Sequence, residues 1–154
     1  MLKYYNALLT FREVPNEVTL CINISNCPVH CPDCHSKWLW KDEGYDLTPS
    51  SIDKLIEANP GITCVAIMGG DQDKVYVMGI GRYIKIHHKL KTAWYSGCDR
   101  QMVSPNCFDF YKYGPYINSR GGLDNPNTNQ VFLKWNGKFW EDQTHLFYNK
   151  KGVF

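Results

Sequence analysis

Cys27, Cys31 and Cys34 stand in one stretch, SNCPVHCPDCHSKWLW (residues 25–40), and His35 follows the last of them. Thiols spaced C-x3-C-x2-C let one backbone loop wrap a single small inorganic object. Three such objects compete. A structural zinc ion wants four ligands, often two close pairs. It would take the three cysteines with His30, His35 or a distant thiol such as Cys64, Cys98 or Cys107, and the chain has no second C-x-x-C pair. Residues 31–35 also read formally as C-x-x-C-H, the c-type haem attachment pattern. That chemistry normally follows export, and it leaves Cys27 without a task. An iron–sulfur cluster of the [4Fe-4S] type is held by cysteine thiolates, normally four of them. Three in one loop leave one iron open, and an open metal position is where a substrate or cofactor binds. His30 and His35 are then expected beside the ligands or at the surface, not among them.

The bulk composition frames this chemistry. The chain has 154 residues, 44% hydrophobic and 21% charged, which suits one globular domain over 1–154. Net charge is +2, from 17 Lys+Arg against 15 Asp+Glu, too balanced to argue for nucleic acid or an anionic membrane as partner. No apolar run reaches the roughly 18–20 residues of a membrane span. The N-terminal stretch lacks the apolar core and small-residue cleavage site of a signal peptide. A cytoplasmic location is therefore expected. Seven cysteines in a reducing compartment point to metal binding or redox work rather than to a disulfide framework.

Several elements must position the thiols. Residues 17–24, EVTLCINI, alternate as a buried strand and run straight into the cysteine loop. Thr48 as N-cap, Pro49 at the first helical position and the stripe Ile52, Leu55, Ile56 predict a helix that ends at Asn59-Pro60-Gly61. Residues 62–68, ITCVAIM, are apolar enough for a strand buried on both faces. They lead into Gly69-Gly70-Asp71. A helix is expected within residues 73–90, weakened by Gly79 and Gly81. KTAWYSG and CFDFYKYGPY predict two further strands, residues 118–129 a loop, and QVFLKWNGKFW a hairpin turning at Asn136-Gly137. Alternating strands and helices imply a mainly parallel sheet. A complete eightfold barrel takes about 250 residues. The expected fold is therefore α/β: a partial, open (βα) barrel with a C-terminal β-hairpin. Its ligands should gather at the C-terminal strand ends, where the cysteine loop and the Gly-Gly-Asp turn both fall.

The C-x3-C-x2-C spacing resembles the signature of the radical S-adenosylmethionine superfamily. Gly69-Gly70-Asp71, one βα unit later, is similar to the glycine-rich turn of that superfamily, with Asp where Glu is commoner. CPVHCPDCHSKWLW, GYDLT, AIMGGD, WYSG, FYKYGPYI and GGLDNPNTNQVF, taken in order, resemble the activating proteins of anaerobic ribonucleoside-triphosphate reductases over nearly the whole chain. The resemblance implies an enzyme in which Cys27, Cys31 and Cys34 ligate a [4Fe-4S] cluster, and S-adenosylmethionine chelates the open iron. Reductive cleavage of that cofactor yields a 5′-deoxyadenosyl radical, which takes a hydrogen atom from a glycine of the partner reductase. A flavodoxin-like protein is the implied electron donor. Gly69, Gly70 and Asp71 are implied to receive the cofactor, Lys112 to pair with its carboxylate, and Ser96 to lie beside it.

Two positions depart from the family pattern. Asn26 stands where the family usually has Gly, though Asn tolerates left-handed backbone. Asp33 stands where the wider superfamily often has an aromatic residue. Cys21 and Cys64 are expected in the core. Cys98 and Cys107 have no assigned role, either as loop thiols or as a second metal site with His87 or His88. The alternative functions are another small radical S-adenosylmethionine enzyme acting on a small heterocyclic substrate, and a zinc-binding module without catalysis.

Overall fold

The computed structural model of the chain describes residues 2–32, 34 and 36–148. Asp33 and His35 lie outside the described residues, as does the C-terminal stretch 149–154. One mixed sheet of eight strands organises the rest, in the order β3-β1-β2-β4-β5-β6-β7-β8. The strands are β1 (Lys3–Thr10), β2 (Thr19–Ile24), β3 (Tyr45–Asp46), β4 (Cys64–Met68), β5 (Lys91–Tyr95), β6 (Phe110–Tyr113), β7 (Val131–Trp135) and β8 (Trp140–Asp142). The helices are α1 (Pro49–Glu57), α2 (Lys74–His87) and the short α3 (His145–Tyr148). β3 and β8 are its two edges, so the sheet does not close on itself.

The sheet is parallel only at its centre. β2, β4, β5 and β6 run parallel, and the pairs on either side of them are antiparallel. This corrects the mainly parallel sheet expected from the sequence. β1 was not foreseen, because residues 3–10 mix polar and apolar types, and a bulge between Tyr4 and Asn6 breaks their alternation. The third crossover, residues 96–109, also runs from β5 to β6 without a helix.

Period-2 alternation assigns each central strand two faces. Leu20, Ile22, Val65, Ile67, Trp94 and Tyr111 pack with Ile52 of α1 and Val77, Ile80 and Ile84 of α2. Cys21, Cys64, Ala66, Ala93, Tyr95, Phe110 and Phe132 form a second core on the other face, with Val14 from the β1–β2 loop and Phe147 from α3 packed against it. Cys21 and Cys64 are core thiols, as expected, and burial pushes Cys21 up to about 12.

Local signals explain the helices. α1 starts as its sequence predicts: Ser51 N–H donates to Thr48 Oγ1 at 3.1 Å, Thr48 N–H donates to Ser51 Oγ at 2.8 Å, and Pro49 follows the cap. α2 keeps both glycines. Gly81 has a packing reason, because a Cβ there would meet Phe108 Cζ at 2.6 Å and the Cys107 carbonyl oxygen at 2.7 Å. The crossover from β5 to β6 thus lies directly on α2. The C-terminal hairpin forms, but its turn is one residue later than expected. Asn136 N–H donates to the Phe139 carbonyl, and Asn136 Oδ1 accepts from Lys138 N–H and Phe139 N–H at 3.0 Å each. The Asn side chain caps the turn instead of sitting at its centre. No helix of the described residues is long and apolar enough to cross a membrane.

Candidate cofactor and metal site

The C-terminal ends of four parallel strands bring the sequence candidates to one end of the sheet. The cysteine loop follows β2, Gly69-Gly70-Asp71 follows β4, Ser96 follows β5, and Lys112 is in β6 near its end. Ligand sites in open α/β sheets form at such strand ends.

The cysteine loop is built on backbone geometry. Asn26 adopts φ 58°, the left-handed conformation that its side chain tolerates. Cys27 N–H donates to the Leu39 carbonyl and Asn26 N–H to the Lys41 carbonyl, both at 2.9 Å. These bonds close the loop against the short 3₁₀ segment Lys37–Trp40. Amide groups inside the loop point at sulfur. Val29 and His30 N–H groups hydrogen-bond to Cys27, and Ser36 N–H donates to Cys34 Sγ at 3.3 Å. Burial pushes the Cys27 thiol up and those amides pull the other way, since they favour the thiolate. Cys27, Cys31 and Cys34 are all half-buried free thiols.

Among the described residues, no group of three or more His, Cys, Asp and Glu stands close enough to share one metal ion. A multi-iron cluster binds each thiolate through a different iron and does not ask for that convergence. The donor set fits such a cluster: three cysteine sulfurs in one loop, with amide N–H groups directed at two of them.

Gly69 and Gly70 have φ 108° and 88°. A Cβ on Gly70 would come within 2.5 Å of Val77 Cγ2, so the turn is fixed by both backbone and packing. Gly69 N–H donates to the Tyr95 carbonyl at 2.9 Å, and its carbonyl accepts from Trp94 Nε1 at 2.7 Å. Asp71 is buried at 8% exposure. Its Oδ1 accepts from Ser96 Oγ at 2.5 Å and its Oδ2 from Gly97 N–H at 3.0 Å. Ser96 Oγ in turn accepts from Cys98 N–H at 3.1 Å. The Ser96 proton is therefore committed to Asp71, and Ser96 acts on the site by holding that carboxylate. Each Asp71 oxygen keeps one further lone pair.

Lys112 is no surface lysine. It lies on the same face as Phe110, with Nζ donating to the Gly114 carbonyl at 3.2 Å and the Ser96 carbonyl at 3.4 Å. Burial lowers it to about 8, against the pull of Asp71, Cys31, Glu13 and Cys34 around it. A third N–H is left to point at an incoming anion. Glu13 faces it from the β1–β2 loop, and burial raises that carboxyl while Lys112 lowers it. The Glu13 carbonyl accepts from Tyr95 Oη, which ties the loop to β5.

Sequence reasoning left Cys98 without a role, and the structure puts it in this site. Its N–H donates to Ser96 Oγ, and burial followed by the Asp71 charge pushes its thiol up. Its position three residues past a parallel strand was the available signal. Glu13 carried no such signal, because β1 was not foreseen. Cys107 is elsewhere, in the core against the helices. His88 Nε2 is 2.6 Å from Asp53 Oδ1, and His87 packs on Tyr83, so the histidine pair ends α2 and makes contacts within the helical layer. A cleft of about 330 Å³ opens between the cysteine loop and the β5–β6 crossover, lined by Pro28, Val29, Gly97, Cys98, Asp99 and Pro115.

No family model, no curated protein and no solved structure matches the chain.

Proposed function

We propose that this chain is a radical S-adenosylmethionine enzyme of the glycyl-radical-activating kind, acting on an anaerobic ribonucleoside-triphosphate reductase in the cytoplasm. The observation that carries the reading is the convergence of the three-thiol loop, the Gly-Gly-Asp turn and a half-buried lysine at the C-terminal ends of β2, β4 and β6. In this reading the open sheet is a partial (βα) barrel.

Cys27, Cys31 and Cys34 would hold the [4Fe-4S] cluster. The Gly69-Gly70 turn would bring its backbone beside the cofactor's amino group, and Asp71, held by Ser96 and Gly97, would offer its remaining lone pairs. Lys112 would pair with the cofactor's carboxylate, which supplies the anion that its desolvated ammonium lacks. When bound together, cluster and S-adenosylmethionine supply one-electron cleavage of the sulfonium and a carbon radical able to take hydrogen from a glycine Cα. A flavodoxin-like protein would deliver the electron. The sheet does not close, and Leu8, on the face of Cys21, is 54% exposed. An open side of this kind suits a protein substrate better than a small molecule sealed in a pocket.

The test is anaerobic incubation of the reconstituted protein with S-adenosylmethionine, a reductant and the reductase. A glycyl radical signal in electron spin resonance is expected. Protein that retains zinc and no iron, or that holds a cluster yet cleaves no cofactor, overturns the reading.

A further inference from the structure

Lys112 stands in a row of side chains that starts at β1. Register pairs Asn6 with Asn23, Asn23 with Met68, Met68 with Tyr95, and Tyr95 with Lys112. Paired residues on neighbouring strands project to one face. For this row it is the face of Cys21, Ala66 and Phe110. At the β7 end that face is covered, with Phe132 stacked on Phe110 and Phe147 of α3 edge-on to Phe132. At the β1 end it is open, since Leu8, two residues along from Asn6, is 54% exposed. Asn6 and Asn23 form the open end of the row, and both are half-buried.

Asn23 Nδ2 donates to Asn6 Oδ1 at 2.7 Å, the one side-chain hydrogen bond of either residue among the described residues. It uses one N–H and one lone pair. Both N–H groups of Asn6 and the carbonyl oxygen of Asn23 are left over. Neither Asn6 Nδ2 nor Asn23 Oδ1 is among the buried unpaired atoms of the described residues, so an incoming group can reach both. Elsewhere in the row Met68 is apolar, Tyr95 Oη is committed to the Glu13 carbonyl, and Lys112 is a cation held by the Ser96 and Gly114 carbonyls. The asparagine pair is therefore the row's neutral set of donor and acceptor.

A peptide backbone presents the matching set, a carbonyl that takes an N–H and an N–H that gives one. We propose that Asn6 and Asn23 hold the main chain of the partner segment that carries the reacting glycine. Asn6 Nδ2 donates to a backbone carbonyl of that segment, and Asn23 Oδ1 accepts from a backbone N–H. The inference rests on the glycyl-radical-activating reading above and names the residues that hold its substrate. A glycine offers no side chain to grip, so its segment has to be held by its backbone. The row sets this grip on the same face and at the same level as Lys112, three strand spacings away, about 14 Å along the sheet. The open end beside β1 admits a loop of a large protein.

The experiment titrates a synthetic peptide, copied from the glycine-bearing segment of the candidate reductase, into cluster-loaded protein with S-adenosylmethionine and no reductant. Wild type is compared with Asn6→Asp and with Asn136→Asp, the same change in the turn of the C-terminal hairpin. Asn6→Asp keeps an acceptor for Asn23 Nδ2 and removes the N–H groups offered to the peptide. Peptide affinity is expected to fall about tenfold or more in Asn6→Asp, because a backbone carbonyl loses its donor and meets a carboxylate. It is expected to stay at the wild-type value in Asn136→Asp. In a second arm the peptide is N-methylated one residue at a time. One position is expected to weaken binding to wild type about tenfold and to have no effect on binding to Asn23→Leu, which has no acceptor to lose. Equal affinity of wild type and Asn6→Asp overturns the proposal. If Asn6→Asp does not fold, the methyl series decides, and the absence of any position whose effect vanishes in Asn23→Leu overturns it. A wild type that assembles no cluster or cleaves no cofactor brings down the activase reading and the grip with it. An active wild type whose peptide affinity ignores both asparagines removes the grip alone.

Discussion

The Ser96 hydroxyl donates to Asp71 Oδ1 at 2.5 Å and so ties the end of β5 to the turn after β4. Both groups are buried, Ser96 fully. Replacing Ser96 with Ala leaves a buried carboxylate oxygen short of a donor, and it frees the Cys98 N–H as well. The expected loss is about 1–3 kcal/mol of unfolding free energy, read from urea denaturation at neutral pH. Iron content should not change, because no thiolate is touched, whereas affinity for S-adenosylmethionine should fall. A variant as stable as wild type and with unaltered affinity would remove Ser96 from the site.

Lys112 makes a stability prediction of opposite sign. Its folded value is lowered from 10.5 to about 8. The charged form is therefore penalised in the folded state. That penalty is fully present below about pH 8 and fades as pH rises toward 10.5, the unfolded value. It amounts to about 3 kcal/mol at most, and the bonds to the Ser96 and Gly114 carbonyls offset part of it. Lys112→Met should thus be more stable than wild type by about 1–2 kcal/mol near neutral pH. The gain should vanish on approach to about pH 10. The same variant should lose cofactor binding. Unfolding curves measured across that pH range check the first claim, and a Met variant less stable at pH 7 would refute it.

The sequence made the two halves of the site legible for different reasons. The cysteine spacing is local, and so are the caps of α1 and the glycines whose positive φ the turn requires. Lys112 could be placed on β6, but its burial depends on β7 and on the Glu13 loop, both distant in sequence. Ser96 reads as a ligand contact until its only proton is seen to be spent on Asp71. Cys98 could be placed just past a parallel strand, but the crossover that carries it has no helix whose period would show which way its thiol faces. β1 was hidden by its bulge and by polar residues on a partly exposed strand.

Gly70 and Gly61 separate backbone strain from packing. Both have positive φ, 88° and 87°. A Cβ at Gly61 meets nothing within 4 Å, whereas at Gly70 it comes within 2.5 Å of Val77 Cγ2. Gly61→Ala should cost about 1 kcal/mol, the left-handed penalty alone. Gly70→Ala should cost about 2–4 kcal/mol, because overpacking of a fully buried valine adds to it. Equal costs in parallel urea titrations would show that α2 yields freely at Val77, contrary to the packing seen here.

Five of the seven thiols should divide by task when each is changed to Ala. Cys27, Cys31 and Cys34 should each lose most of the iron after anaerobic reconstitution, because an iron loses its thiolate. Cys98→Ala should keep full iron, since Cys98 follows β5, beside Asp71 and Ser96, and not in the cysteine loop. Its effect should appear as weaker cofactor binding. Cys107→Ala should alter neither iron nor cofactor binding, and its cost should be one of stability, from a small void against the helical layer. Iron and sulfide assays on the five variants, with S-adenosylmethionine titrations on the last two, decide between this partition and its rivals. Iron loss in Cys98→Ala would make it a fourth ligand and close the open position on which the proposed chemistry depends.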